Sequence, residues 1–560
     1  MKLLSARFAL LSALTILLVR LLPGRLRRFR PLILLSASLA VLAFDPLSLI
    51  VLCVTCGSAY AGMLVLERLQ ERGREHGVEC TQKRGVERGR KHGVECTQEH
   101  GVERTQERDV ERAQERGREH GMERTQERDV ERAQERSRKR IQRIREVVLA
   151  GLLIWQVLLF VRFQGRCLGI SYVTLILIGL EIEVFRAQRL PEKNILRFAA
   201  DVLYFPRLFS GPIVQGGEIH MNAAVEPPVA GECESPAAWE CGPPVAGRWR
   251  PRVQAFGIAA GPLRRILWGL FKKLVLADRL AIFVSAVFDA PHSFSAVMIW
   301  LAVIAASIQI YADFSGCMDV VLGLSALLGV RLPENFSQPF FAAGFADYWR
   351  RWHMTMGRWF RTCLFYPVGM NGRVLKLSGA LAAHVRGRQL KKCAMMLIPL
   401  FTTWAATGLW HGFSPHFLVW GLLCAFLILL ESARRKKPGR NAGTILITFL
   451  TMSIVRVMFR ASSVRQALRV YAGMLRFGSP AGRFPGGLDR LDVAVVLTAV
   501  LLLGIADVYR EKKGCGIGEW VARLPMVPRW MLVLAAAAAV LLAGVYGPGY
   551  APAEFVYGRF

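Results

Sequence analysis

Apolar residues fall in long runs along the chain: 8–22, 32–44 and 47–66 near the start, then 147–163, 168–184, 274–288, 295–310, 393–409, 417–430, 444–457, 491–505 and 530–546. A helix needs about 20 apolar residues to cross about 30 Å of hydrocarbon, and with no water there to satisfy the backbone, a crossing segment takes the helical form. Runs of this kind exclude a soluble domain and argue against a barrel. The pattern predicts an all-α integral membrane protein with roughly ten to twelve helices that cross or partly enter the bilayer. The first run has the basic start of a signal peptide, but Leu21-Leu22-Pro23-Gly24 offers no small-x-small cleavage site and a second run follows. It reads as a retained first helix.

Two stretches break the pattern. From 67 to 146 the sequence is charged and repetitive: ERTQERDVERAQER at 103–116 returns unchanged at 123–136, and HGVECTQ occurs at His76 and again at His92. Val110 and Val130 are nearly the only apolar residues of the repeated unit, so there is no stripe to bury. Like charges at Glu107 and Glu111 stand at i,i+4, while Arg108 and Glu111 make an opposite pair at i,i+3. This predicts a solvated helix or a disordered cytoplasmic loop. A second insertion, 216–250, is rich in Pro, Gly and Ala and repeats PPVAG at Pro227 and Pro243, which predicts an irregular loop. The organisation is then three parts: 1–66 with the first membrane helices, 67–146 as the inserted repeat, and 147–560 as the membrane core.

Composition changes the picture in one respect. The formal charge is +31, which in a soluble protein would point to nucleic acid. Here the basic residues sit at the ends of apolar runs: Arg25, Arg27, Arg28 and Arg30, then Lys272 and Lys273, then Arg434, Arg435, Lys436 and Lys437. That is the distribution of a membrane protein facing an anionic inner leaflet, and it gives no reason to expect nucleic acid. The rule puts 25–30 in the cytoplasm, with the chain returning there at Glu67. The twelve cysteines are scattered; Cys53 and Cys56 stand alone in an apolar run, with no second pair at metal spacing, so no metal is expected.

Charged and polar side chains inside apolar helices are costly, so they mark candidate chemistry. Three places carry them. The first is Tyr311 to Asp319, with Ser315 and Asp319 four apart on one helical face and Asp313 displaced from it; polar packing between helices explains these as well as catalysis does. The second is Asp347 to Arg361, where Trp349, Arg350, Arg351, Trp352 and His353 have the mixture of an interfacial amphipathic helix, although His353 equally suits a substrate opening. The third is Thr407 to Ser414, containing Trp410 and His411 between glycines in an apolar stretch. Imidazole takes and returns a proton near neutral pH, and neutral histidine is the least costly base to hold in a membrane. On composition alone, a structural role for His411 competes with a catalytic one.

These places occur in an order that resembles the membrane-bound O-acyltransferase family, in particular its bacterial branch of alginate O-acetylases and teichoic-acid D-alanylating proteins. The resemblance is carried by 311–369, with LPENF at 332–336, containing Asn335, and WRRWH at 349–353 as its specific parts. GLFKKLVLAD at 269–278, Phe205-Pro206, SGPI at 210–213, LGIS at 168–171, MFRA at 458–461 and FVY at 555–557 are similar to further landmarks.

The resemblance implies a ring of helices around a thinned centre, where a cytoplasmic thioester donor, acetyl-CoA or an acyl carrier protein, meets an acceptor from the other side of the bacterial cytoplasmic membrane. It implies catalysis by His411, with His353 as second histidine, and no permanently bound cofactor. Asp313, Ser315, Asp319, Asn335, Arg350, Arg351, Trp352 and Trp410 become candidates for binding substrate or supporting the site; Arg350, Arg351 and Lys272 suit donor phosphates. The acceptor expected is a cell-envelope polysaccharide or an extracytoplasmic acyltransferase partner. D-alanyl transfer and, from another class, transport of a polysaccharide or lipid intermediate are the competing readings. Where the family usually carries Asp-Tyr after Arg361, this chain has Thr362-Cys363, which leaves Arg361 in need of another partner; Cys363 is not thereby a nucleophile.

Overall fold

The computed structural model describes residues 5–91, 106–214, 260–434, 439–477 and 487–546, with side chains 24, 25, 75–91 and 106–131 outside that description. Among the described residues every regular element is helical, and eight helices are long and apolar enough to cross a membrane: Pro46–Arg74, Arg132–Phe163, Ala296–Leu327, Arg388–His411, Pro415–Ala433, Ala442–Arg460, Arg490–Lys513 and Met526–Ala543. Shorter apolar helices, Ala6–Leu21, Arg30–Leu42 and Ile170–Phe185, join them. The chain is an all-α, multi-pass membrane protein.

Two compact units divide it: Met1–Cys53 with Leu159–Gly179 and Asn194–Phe560, and Val54–Leu158 with Leu180–Lys193. The smaller unit takes the helix Pro46–Lys91 from Val54 onward and the helix Gln106–Phe163 as far as Leu158, and these carry the charged insertion as far as it is described. Its solvated character is visible in the exposed Glu135–Lys139 pair, 2.7 Å apart at i,i+4. Gly62 lets Leu152 approach so closely that a Cβ there would lie 2.4 Å from Leu152 Cδ1, the small-residue packing that membrane helices use. Gln156 and Glu181, both fully buried, are joined at 3.4 Å. The repeats at 92–105 and the insertion 216–250 lie outside the described residues.

In the larger unit the centre is Ala296–Leu327, with 72% of its apolar window buried. Ser295 caps its start by accepting from Met298 N–H, and a left-handed Gly329 (φ 77°) follows its end. The helices Ala260–Leu270, Asp278–Asp289, Ala442–Arg460 and Val464–Met474 pack around it. The apolar run 274–288 is not one continuous α-helix. A wide π-type turn, Phe271–Ala277, precedes Asp278–Asp289; such turns often occur where function places an extra residue.

Two packed helices complete the frame. Arg388–His411 and Pro415–Ala433 approach through glycine: a Cβ on Gly408 would sit 2.4 Å from Phe417 O, and one on Gly421 would sit 2.3 Å from Trp404 O. Between these helices and the centre run the short helices Phe345–Arg351 and Met354–Phe360. A single antiparallel bridge pairs Phe336 with Trp352, so LPENF and WRRWH are stitched together.

Candidate active site

The first histidine is positioned by a strained joint between the two short helices. His353 has φ 46°, a left-handed conformation that costs a non-glycine residue about 1–3 kcal/mol and persists only when its surroundings over-determine it. Asn335 does so. Its backbone carbonyl accepts from Met354 N–H at 3.0 Å. Its Oδ1 accepts from Thr355 N–H at 3.1 Å and Thr355 Oγ1 at 2.9 Å, and meets His353 Nδ1 at 3.1 Å. The backbone N–H can only donate, which fixes the amide oxygen on this side; His353 Nδ1 therefore carries the hydrogen and Nε2 is left as the basic nitrogen. Burial, with a further contribution from His411, holds His353 well below the ordinary histidine value.

The second histidine ends Arg388–His411, with Gly412 closing the helix. His411 is 1% exposed and walled by aromatic rings: Trp410 at 4.7 Å between centroids, Phe459 at 5.0 Å and Trp420 at 5.2 Å, the last two nearly edge-on. Trp410 neighbours both histidines: its ring centroid lies 6.2 Å from that of His353 and 4.7 Å from that of His411. It is held by its carbonyl, which accepts from Gln164 Nε2 at 2.8 Å, and by its indole N–H, which donates to Ser171 O at 3.4 Å. The LGIS segment thus reaches the site by anchoring Trp410.

His353, His411, Asn335, Trp352 and Trp410 converge. The other candidates do not join them by direct contact. Lys272 Nζ lies 2.8 Å from Ser315 Oγ and 2.6 Å from Asp319 Oδ2, and Lys273 Nζ lies 2.6 Å from Asp313 and 2.8 Å from Asp278. Arg265 extends this chain to Asp319 and, by a forked pair, to Glu334. Gly269 and Gly316 make the close approach possible: a Cβ on Gly269 would sit 2.5 Å from Gly316 O. Asp313, Ser315 and Asp319 thus pair across packed helices, Ser315 and Asp319 with Lys272 and Asp313 with Lys273.

Two expectations need correction. The Asp347 to Arg361 segment is not an anchor at the headgroup surface: Trp352 is 3% exposed, and Trp349 packs on Trp404 and Trp420 at 4.6 and 5.8 Å. Only Arg350 is well exposed there among the pair of arginines, beside Asp347, while Arg351 ties Asp347 to Glu511 and to Ser337 O. Arg361 is exposed, so the absence of Asp at 362 leaves no buried charge unmatched.

Three participants escaped the sequence reading. Trp420 walls His411 from an apolar run where nothing distinguishes one aromatic from another, and Phe459 stands in the MFRA segment at 458–461, whose contact with His411 the sequence does not show. Arg456, buried in Ala442–Arg460, had a visible signal: it is the lone charged residue inside the run 444–457.

The fold and site define a multi-pass helical membrane protein with two buried histidines that share an indole neighbour. Residues 242–383 match the model of the membrane-bound O-acyltransferase family. That match contains His353 and stops before His411. The chain is 28% identical over 356 residues, 62% of its length, to a probable alginate O-acetylase of Pseudomonas syringae pv. tomato. It is 30% identical over 288 residues, half its length, to a peptidoglycan O-acetyltransferase of Helicobacter pylori, and 28% identical over 157 residues, 27% of its length, to a teichoic acid D-alanyltransferase of Bacillus subtilis. The matches span 60%, 47% and 37% of those proteins' lengths.

Proposed function

We propose that this chain is an O-acyltransferase of the bacterial cytoplasmic membrane that moves a small acyl group, acetyl, from a cytoplasmic thioester to hydroxyls of an extracytoplasmic cell-envelope polysaccharide, directly or through an acyltransferase partner. The observation that carries the reading is the convergence of His411 and His353 on Trp410 inside an apolar, aromatic wall. His411 takes the proton of the acceptor hydroxyl as its oxygen attacks the thioester carbonyl. The C–O bond forms, the C–S bond breaks on collapse of the tetrahedral intermediate, and the departing thiolate receives the proton. His353, oriented by Asn335, presents Nε2 for a hydrogen bond to a substrate group. The donor is acetyl-CoA or an acylated carrier protein.

The test is the acyl content of the envelope polymer in a deletion strain complemented with wild-type or His411→Ala protein at equal levels. Loss of polymer acetate with both the deletion and the variant supports the reading. Acyl content unchanged by His411→Ala would favour a transporter, since buried polar groups also line transport paths. The likeness to a teichoic acid D-alanyltransferase favours a second reading, D-alanyl transfer. A requirement for an aminoacylated carrier, with polymer acetate unaffected, would establish it instead.

A further inference from the structure

Arg456 is a charge that the transfer chemistry above leaves unused. It is 6% exposed and lies in the apolar membrane helix Ala442–Arg460, where an unmatched guanidinium is costly. Its neighbours are neutral: Nη1 donates to Ser307 O at 3.3 Å, Nη2 donates to the Tyr348 hydroxyl, and the guanidinium carbon lies 4.4 Å from the Trp352 ring centroid. Among the described residues no carboxylate forms an ion pair with it. Five N–H donors and two oxygen partners leave hydrogen-bonding capacity as well as charge.

That capacity borders a cavity of about 10 Å³, lined also by Ile310, Trp349, Trp352, Trp420, Met452 and Phe459. A space of this volume takes one occupant the size of a water molecule, which excludes a phosphate, a carboxylate or any larger group. The lining decides between the occupants that remain. Apart from the weakly accepting sulfur of Met452, the polar groups of these seven side chains are three indoles and a guanidinium, and all of them only donate. The indole N–H of Trp349 is buried and meets no acceptor. A water molecule here could accept, but its own hydrogens would find no oxygen on any lining side chain. An anion has no hydrogens to place, and a single guanidinium matches a single negative charge.

We propose that this cavity is a binding site for a monovalent, single-atom anion, chloride, which neutralises Arg456 and accepts a hydrogen bond from the Trp349 indole. Chloride is slightly larger than water, and Met452, the most adaptable apolar side chain of the lining, gives way to it. The lining residues come from Ala296–Leu327, Phe345–Arg351 with its C-cap Trp352, Pro415–Ala433 and Ala442–Arg460, so one ion ties four elements together. Trp420 and Phe459 also pack against His411, and the ion therefore braces that wall without meeting a substrate. The inference stands independently of the acyl-transfer reading.

The test uses the full-length protein in nanodiscs of zwitterionic lipid. Thermal unfolding is followed by tryptophan fluorescence in potassium chloride, bromide or gluconate at one ionic strength, gluconate being too large for the cavity. For the wild type, Tm is expected to rise saturably with chloride, by about 2–4 °C near saturation relative to gluconate, and bromide should replace chloride. Arg456→Gln should lose the chloride increment while keeping a cooperative transition. Trp349→Phe keeps the charge and an aromatic ring and removes only the N–H; it should raise the half-saturating chloride concentration about tenfold or more, and it carries the test alone if Arg456→Gln does not fold. Coincident wild-type curves in chloride and gluconate would overturn the proposal and assign the cavity to water. An increment of the wild-type size and midpoint in Trp349→Phe would overturn it too, by placing the halide elsewhere on the protein.

Discussion

Asn335 is where one substitution should do the most to separate holding the site from forming the fold. Replacing it with alanine removes the acceptor of three buried donors at 2.9–3.1 Å: Thr355 N–H, Thr355 O–H and His353 Nδ1–H. The hydroxyl can turn to another oxygen and the imidazole can change tautomer, so each should cost about 1 kcal/mol. The backbone N–H has no such freedom, and an unsatisfied buried donor costs about 1–3 kcal/mol. The expected loss is therefore about 3–5 kcal/mol, and the left-handed backbone at His353 loses its brace. Unfolding in mixed micelles, followed by tryptophan fluorescence, measures this. Thr355→Val in the same background should show strong coupling in a double-mutant cycle, because both variants act on the same bonds. In variants that remain folded, transfer should fall further than stability does, since His353 can adopt the other tautomer. A loss below about 1 kcal/mol for Asn335→Ala would refute the reasoning.

Other outcomes follow from the same geometry. Lys273→Met leaves the Asp278 and Asp313 carboxylates facing each other in a site 2–4% exposed and should cost about 3–5 kcal/mol; adding Asp278→Asn and Asp313→Asn should recover most of it, as thermal unfolding will show. Because His353 is held below its ordinary value of 6.5, the unfolded chain binds a proton that the folded chain refuses. Stability should therefore fall as pH drops below about 6.5, by up to about 1.4 kcal/mol per pH unit from this group, and His353→Gln should flatten that part of a denaturation profile. Gly421→Ala should reduce transfer at near-constant expression, measured by polymer acetate, because its methyl must push Trp404 O away from 2.3 Å.

Membrane crossing was legible in the sequence because it depends on local composition: every long apolar run returned as helix. His353 and His411 were legible as polar residues in apolar surroundings, and their family wording gave them roles. Their shared contact with Trp410 was not, since Trp410 is held by Gln164 and Ser171, far away in the chain. The Trp-Arg mixture of 347–361 misled for a related reason. Composition cannot distinguish an indole at a headgroup from one packed on Trp404, because both settings favour a large ring with one polar edge. Lys272 looked available to a ligand because the sequence does not show Ser315 and Asp319 facing it.

The glycine contacts between Arg388–His411 and Pro415–Ala433 limit how this protein can diverge. Where two backbones touch with no side chain between them, there is no slack to absorb a substitution; any added atom appears as displacement of the helix end that carries His411. A charged surface such as Glu135–Lys139 carries no comparable geometric debt. Change should therefore accumulate in the repeats, while Gly408 and Gly421 tolerate almost none, two positions that set the site's mechanical tolerance without meeting a substrate.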